Sequence, residues 1–208
     1  MSDAVLEEVM CTIEQEAWGS DPAGVDVSLF HLRNQHGMQA SITTYGGIIT
    51  SLAVPDADGQ IDDVVLGFDS LEGYLADHPY FGAIVGRYAN RIANGTFSIA
   101  GVEYQLDVNN ESNHLHGGFE GFDSRVWQVV SATQGASARL ELLLVSPDGD
   151  QGFPGELTVT AIYTLTADNA LRLELRATTS APTICNLTQH SYFNLDGADG
   201  TSIVDHKL

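Results

Sequence analysis

Three short stretches hold the side chains best suited to proton transfer and hydroxyl recognition. His114 and His116 lie in NHLHGG, His190 lies in NLTQHSYFNLDG, and Arg91 lies in GRYANRIANG. Histidine ordinarily titrates near neutral pH, so it can both give and take a proton there. The spacing His-x-His on a strand places both imidazoles on one face, which is half of a metal site. No third ligand stands at a recognisable spacing and no HExxH occurs. The other reading is that one of the two histidines faces a cleft and its neighbour is structural.

His190 is followed directly by Ser191, Tyr192, Phe193 and Asn194. Hydroxyls and amides beside aromatics suit a sugar, whose hydroxyls need directional partners and whose apolar ring face can lie on an aromatic. An ordinary hydrogen-bonded histidine in a strand is the alternative. Arg91 sits between Asn90 and Ile92, ahead of a tight turn. Its guanidinium is a rigid donor fork suited to hydroxyls, although a salt bridge is equally open to it, and Arg87 competes for the role. Ser191 lacks the GxSxG turn of a hydrolase nucleophile. Neither a phosphate-binding P-loop nor a GxGxxG motif occurs.

Charge narrows the partners. The 208 residues carry 28 Asp+Glu against 8 Lys+Arg, a net charge of −20. Phosphate backbones are held by Lys/Arg clusters, so general nucleic-acid binding is excluded. Docking on anionic lipid is disfavoured in the same way. Lys207 is the sole lysine, which argues against a polyphosphate ligand and for a neutral one. The acidic start MSDAVLEEVM lacks the basic and apolar regions of a secretory signal. No apolar run approaches the ~18 residues of a membrane span. A soluble, cytoplasmic protein is expected. Cys11 and Cys185 could pair, but two free thiols fit a reduced cytosol better.

Residues 2–17 form the most helix-like stretch, with Val5, Val9 and Ile13 four apart, so residues 1–24 are expected to be an N-terminal extension with helix. From residue 25 the period becomes two. Val25, Val27 and Leu29 alternate with polar residues, then Met38, Ala40 and Ile42 do the same after the turn 34–37. Leu140, Leu142 and Leu144 predict another strand. The pair 157–165 and 171–175, joined by ADNA, predicts an antiparallel hairpin with one buried face. There is no βαβ alternation. Residues 25–208 are therefore expected to be an all-β, large antiparallel sandwich.

Taken together, GRYANRIANGTFSIAGVEYQL (86–106), NHLHGGFEGFDSRVWQV (113–129), SPDGDQGFPGEL (146–157) and NLTQHSYFNLDG (186–197) resemble the aldose 1-epimerase, or galactose mutarotase, family. The stretch 34–74 resembles that family's N-terminal strands. The resemblance implies a large β-sandwich that interconverts the α and β anomers of free aldohexoses such as galactose and glucose, without a cofactor. It implies His190 as the general acid at the ring oxygen and His116 as a sugar-binding histidine. Asn90 and Arg91 correspond to the pair that binds sugar hydroxyls, and Ser191 and Tyr192 to positions in the same binding segment as the acid.

The family's general base is a glutamate late in a longer chain, and no glutamate here matches its motif. The expectation is therefore an N-terminal portion of a mutarotase, incomplete at the C-terminal side, as a truncated gene, a split protein or a partial sequence. Such a portion is expected to turn over far more slowly than a full-length relative, and to self-associate through exposed sheet edges. The alternative is a non-catalytic sugar-binding fragment. A hexose-phosphate branch is disfavoured by the lack of basic residues.

Overall fold

The computed structural model describes residues 10–76, 78–200 and 202–207. Alternation builds the first layer, an antiparallel sheet in sequence order: β1 (Cys11–Ser20), β2 (Asp26–Asn34), β3 (Gln39–Thr43), β4 (Ile49–Pro55) and β5 (Ile61–Asp63). The expected hairpin across residues 34–37 is the β2–β3 connection, with Leu32 opposite Ala40 and Phe30 opposite Ile42.

The helix expected over residues 2–17 is corrected by β1 where the structure describes it; residues 1–9 lie outside the described residues. Cys11 is buried and Ile13 half-buried while Thr12 and Glu14 are exposed, so these residues also satisfy a period of two. An isolated helix of this length is marginal in water. Pairing with β2, from Cys11 opposite Asn34 to Ser20 opposite Asp26, supplies backbone partners along the whole stretch. Glu14 adds an ion pair to Arg33 at 2.7 Å. The first sheet therefore includes residues assigned from sequence to an extension.

Short elements follow: α1 (Leu71–Leu75), β6 (Ile84–Val85), β7 (Arg91–Ile92), β8 (Thr96–Ile99), β9 (Val102–Gln105) and β10 (His114–Leu115). The second layer is a four-stranded antiparallel sheet of β11 (Gln128–Thr133), β12 (Ser137–Ser146), β13 (Leu157–Thr166) and β14 (Leu171–Thr179), in that order, and β15 (Thr188–Gln189) comes last. The predicted hairpin is present, with Ala161 opposite Leu175 and Tyr163 opposite Leu173. One core joins the layers: Phe30, Leu32, Ala40 and Ile42 from the first sheet meet Leu140, Leu142, Val159 and Leu165 from the second. Removing such surfaces from water supplies roughly 25 cal/mol per Å². The fold is all-β, and its pairings between named strands are antiparallel. Among the described residues no helix is long and apolar enough to cross a membrane.

Two small ladders lie outside the main sheets and hold the histidine-bearing stretches. β7 pairs β10, and β6 pairs β15. A buried arginine locks the loops around them. Arg87 Nε donates to Ser146 Oγ at 2.8 Å, and its terminal nitrogens donate to the carbonyls of Ser146, Pro147, Pro154 and Gly155.

Candidate active site

The β7–β10 ladder sets Leu115 opposite Arg91 and His114 opposite Ile92, so Asn90 and His116 flank it side by side. The link is reciprocal: Asn90 N–H donates to His116 Nδ1 at 3.0 Å, and His116 N–H donates to the Asn90 carbonyl at 3.1 Å. Both residues take positive φ, 69° and 54°, which turns the chain out of the ladder there. The next residue must be glycine, because a Cβ on Gly117 would stand 1.8 Å from the Gly86 carbonyl oxygen.

His190 arrives from the other ladder. Gln189 pairs with Ile84, and beyond it His190 N–H donates to the Ala83 carbonyl at 2.9 Å while its own carbonyl accepts from Gly82 at 3.1 Å. Two ladders distant in sequence thus bring the imidazoles of His116 and His190 to 5.2 Å between centroids, at 90°. They border an open cleft of about 480 Å³ together with Ala89, Asn90, Asn186, Leu187, Thr188, Gln189 and Ser191. None of these lining residues is a carboxylate.

The hydrogen bond from Asn90 fixes the state of His116. Its Nδ1 must accept, which leaves Nε2 as the protonated nitrogen and a donor. Charging the ring would set a second N–H against that of Asn90. Burial pushes the His116 titration down to about 4, and the neighbouring His190 and Arg91 push in the same direction. His116 is a neutral donor at pH 7.

Arg91 is exposed and, among the described residues, makes no carboxylate hydrogen bond; its Nε donates to Asn110 Oδ1 at 3.0 Å and its Nη1 to Asn90 Oδ1 at 3.3 Å. Neutral amides orient its fork without cancelling its charge. The competition with Arg87 is resolved by burial, since Arg87 is 2% exposed and committed to the loops. Ser191 is held by Gln189, whose Nε2 donates to Ser191 Oγ at 2.7 Å and whose Oε1 accepts from Ser191 N–H at 2.9 Å. Tyr192 is half-open to solvent, its ring 5.2 Å from His190 and 5.1 Å from Phe81.

The shared strand face expected of His114 and His116 is corrected. His114 and His116 do not share a face, because β10 ends at Leu115 and the positive φ of His116 turns it away. His114 is fully buried, with Nδ1–H donating to the Asp107 carbonyl at 2.7 Å and its ring edge-on to Phe153. Burial lowers its titration, which keeps it neutral and structural.

The sequence reading missed Tyr80 and Gln189. Tyr80 contacts both cleft histidines, with centroids at 4.6 Å from His116 and 5.8 Å from His190. Its signal was an aromatic after Pro79, just before a buried strand. Gln189 directly precedes His190, and its side chain braces Ser191 and the Gly82 carbonyl. Another cavity of about 450 Å³ lies over the first sheet, lined by Trp18, Asp63, Phe68 and others, but it holds no histidine or arginine.

The aldose 1-epimerase family pattern matches residues 28–208. The chain belongs to the aldose 1-epimerase family. It is 47% identical over 200 residues to galactose mutarotase of Mus musculus, covering 96% of this chain and 57% of that protein. Aldose 1-epimerase of Escherichia coli K12 is 41% identical over 187 residues, covering 90% and 53%. Among solved structures, galactose 1-epimerase from Lactobacillus acidophilus NCFM superposes with a TM-score of 0.80 at 30% identity, covering 90% of this chain and 54% of that one. The chain spans 53–57% of the length of these curated relatives.

Proposed function

We propose that the cleft binds a free aldohexose such as galactose or glucose and interconverts its anomers. The observation that carries this is the meeting of a neutral donor histidine with a second imidazole at 5.2 Å, beside an arginine held by two side-chain amides. The relatives' names support the enzymatic reading over a non-catalytic sugar binder.

Ring opening needs a proton at the ring oxygen and removal of one from the anomeric hydroxyl. His190 delivers the first proton, which breaks the C1–O5 bond as the anomeric C–O bond becomes a carbonyl. Rotation about C1–C2 presents the other carbonyl face, and reclosure returns the proton to His190. His116 donates through Nε2 to a sugar oxygen, and Asn90 and Arg91 hold hydroxyls. Ser191 and Tyr192 shape the side next to His190. A second group takes the proton of the anomeric hydroxyl as the ring opens and gives it back as the ring recloses.

Polarimetry of freshly dissolved α-galactose tests this. Acceleration over buffer that saturates with sugar supports the reading, and a rate equal to buffer overturns it. The two free thiols, Cys11 and Cys185, support a reducing, cytoplasmic location. β14 ends the second sheet, which supports self-association along its outer edge; sedimentation at rising concentration checks it.

A further inference from the structure

Tyr80 has φ 61°, a region that bulky side chains enter at a cost. The turn that imposes it is tied to the site: Ala83 N–H donates to the Tyr80 carbonyl at 3.2 Å, and the Ala83 carbonyl accepts from His190 N–H at 2.9 Å. One turn therefore sets both the strained tyrosine and the backbone of His190. The ring of Tyr80 meets His116 at 4.6 Å and 67°, and His190 at 5.8 Å and 39°. With the imidazoles 5.2 Å apart, the three rings form a closed triangle. Tyr80 also lines a separate recess of about 270 Å³, with Tyr45, Tyr74 and Asp123. Its side chain thus stands between that recess and the cleft.

We propose that Tyr80 is a positioning residue for the cleft: its ring closes one side of both imidazoles, keeping water from His116 and holding His190 at a fixed angle to it. The packing claim stands by itself; only its effect on turnover rests on the proposed mutarotase reading. Among the described residues, the charged or titratable groups acting on His116 are His190 and Arg91, with the Tyr80 phenol beside them. Both His190 and Arg91 oppose a charged His116 whether or not the tyrosine is present. Water admitted by its loss would favour the imidazolium.

The test uses the full chain with Tyr80→Asn and Tyr80→Phe. Asparagine tolerates positive φ and removes the ring, whereas phenylalanine keeps it. Imidazole NMR titrations are followed alongside polarimetry. Tyr80→Asn is expected to raise the His116 midpoint from about 4 part of the way to 6.5. It should also reduce turnover, and Tyr80→Phe should restore the His116 midpoint. A folded Tyr80→Asn chain with an unmoved His116 midpoint overturns the proposal. So does the absence of nuclear Overhauser contacts from the Tyr80 ring to both imidazoles in the unsubstituted chain, a measurement that does not depend on any variant folding. A moved midpoint in a chain that shows no mutarotation would sink the functional reading and leave the positioning role intact.

Discussion

The two main sheets and the loop-rich segment between them are held by different means. In β12 and β13 the inward residues Leu140, Leu142, Val159, Ala161 and Leu165 repeat every second position, and each shares its burial with many others. In the segment from Tyr80 to His116, conformation turns on single residues. Among the described residues, six of the eight non-glycine positive-φ positions fall there: Tyr80, Asn90, Asn94, Ala100, Glu111 and His116. Two of these, Asn90 and His116, line the cleft, and the ring of a third, Tyr80, packs against His116 and His190. The sheets supply stability through redundancy, and the segment supplies geometry through individual hydrogen bonds. The proposed site sits where redundancy is least.

Arg87 is the sharpest probe of that contrast. Arg87→Leu strips buried carbonyls in the 146–155 loop of their donor and is expected to cost about 3–5 kcal/mol. Arg91→Leu, on the exposed neighbour, is expected to cost under about 1 kcal/mol while weakening sugar binding. Denaturant unfolding of the two variants measures the difference. Equal losses would mean that the segment is not held by discrete polar bonds.

Leu142→Ala attacks the other half. Leu142 is fully buried in the shared core, so the change is expected to cost about 2–5 kcal/mol and to lower the unfolding midpoint of both sheets together. Hydrogen exchange would show this as a uniform loss of protection. A loss confined to β12 would break the picture of one joint core.

The smallest effect is electrostatic and lies wholly in the loop segment. His116 titrates near 4 in the folded chain against 6.5 ordinarily, so the unfolded chain binds more protons between those values. Its share of stability is complete above pH 6.5 and is lost as pH falls to 4. Asp123 behaves oppositely: burial raises its carboxyl from 3.8 to about 6, so stability is lost as pH rises through that window. Each share is at most about 3 kcal/mol, reduced for His116 by the solvent of the open cleft. The two offset each other between about pH 4 and 6, and a flat stability profile is expected there. Asp123→Asn should remove one side, raise stability at pH 7 and make the chain more acid-sensitive. Urea unfolding against pH checks both signs.

This contrast also explains what could be read from the residues alone. The strands were legible because alternation in Leu157–Leu165 or Val27–Leu29 is repeated evidence for one face. β1 was misread because its four-residue spacing and its two-residue spacing share Ile13, and only the partner strand decides between them. His116 and His190 were legible as chemistry, but not their meeting, which depends on two two-residue ladders too short to leave a pattern. The separation of His114 from His116 rests on one positive φ, and no periodicity reports that. Tyr80 left only the faint signal of an aromatic after Pro79, because its place beside the imidazoles also rests on one positive φ.

The central claim is that His190 moves a proton at the sugar ring oxygen in a cleft shared with His116. Polarimetry of α-galactose with the unsubstituted chain and with His190→Asn tests it most directly, with circular dichroism confirming that both are folded. The expected result is acceleration over buffer by the unsubstituted chain and a loss of about 10²–10⁴-fold in that acceleration, or its disappearance into the buffer rate, on substitution. An acceleration that survives His190→Asn unchanged would contradict the claim.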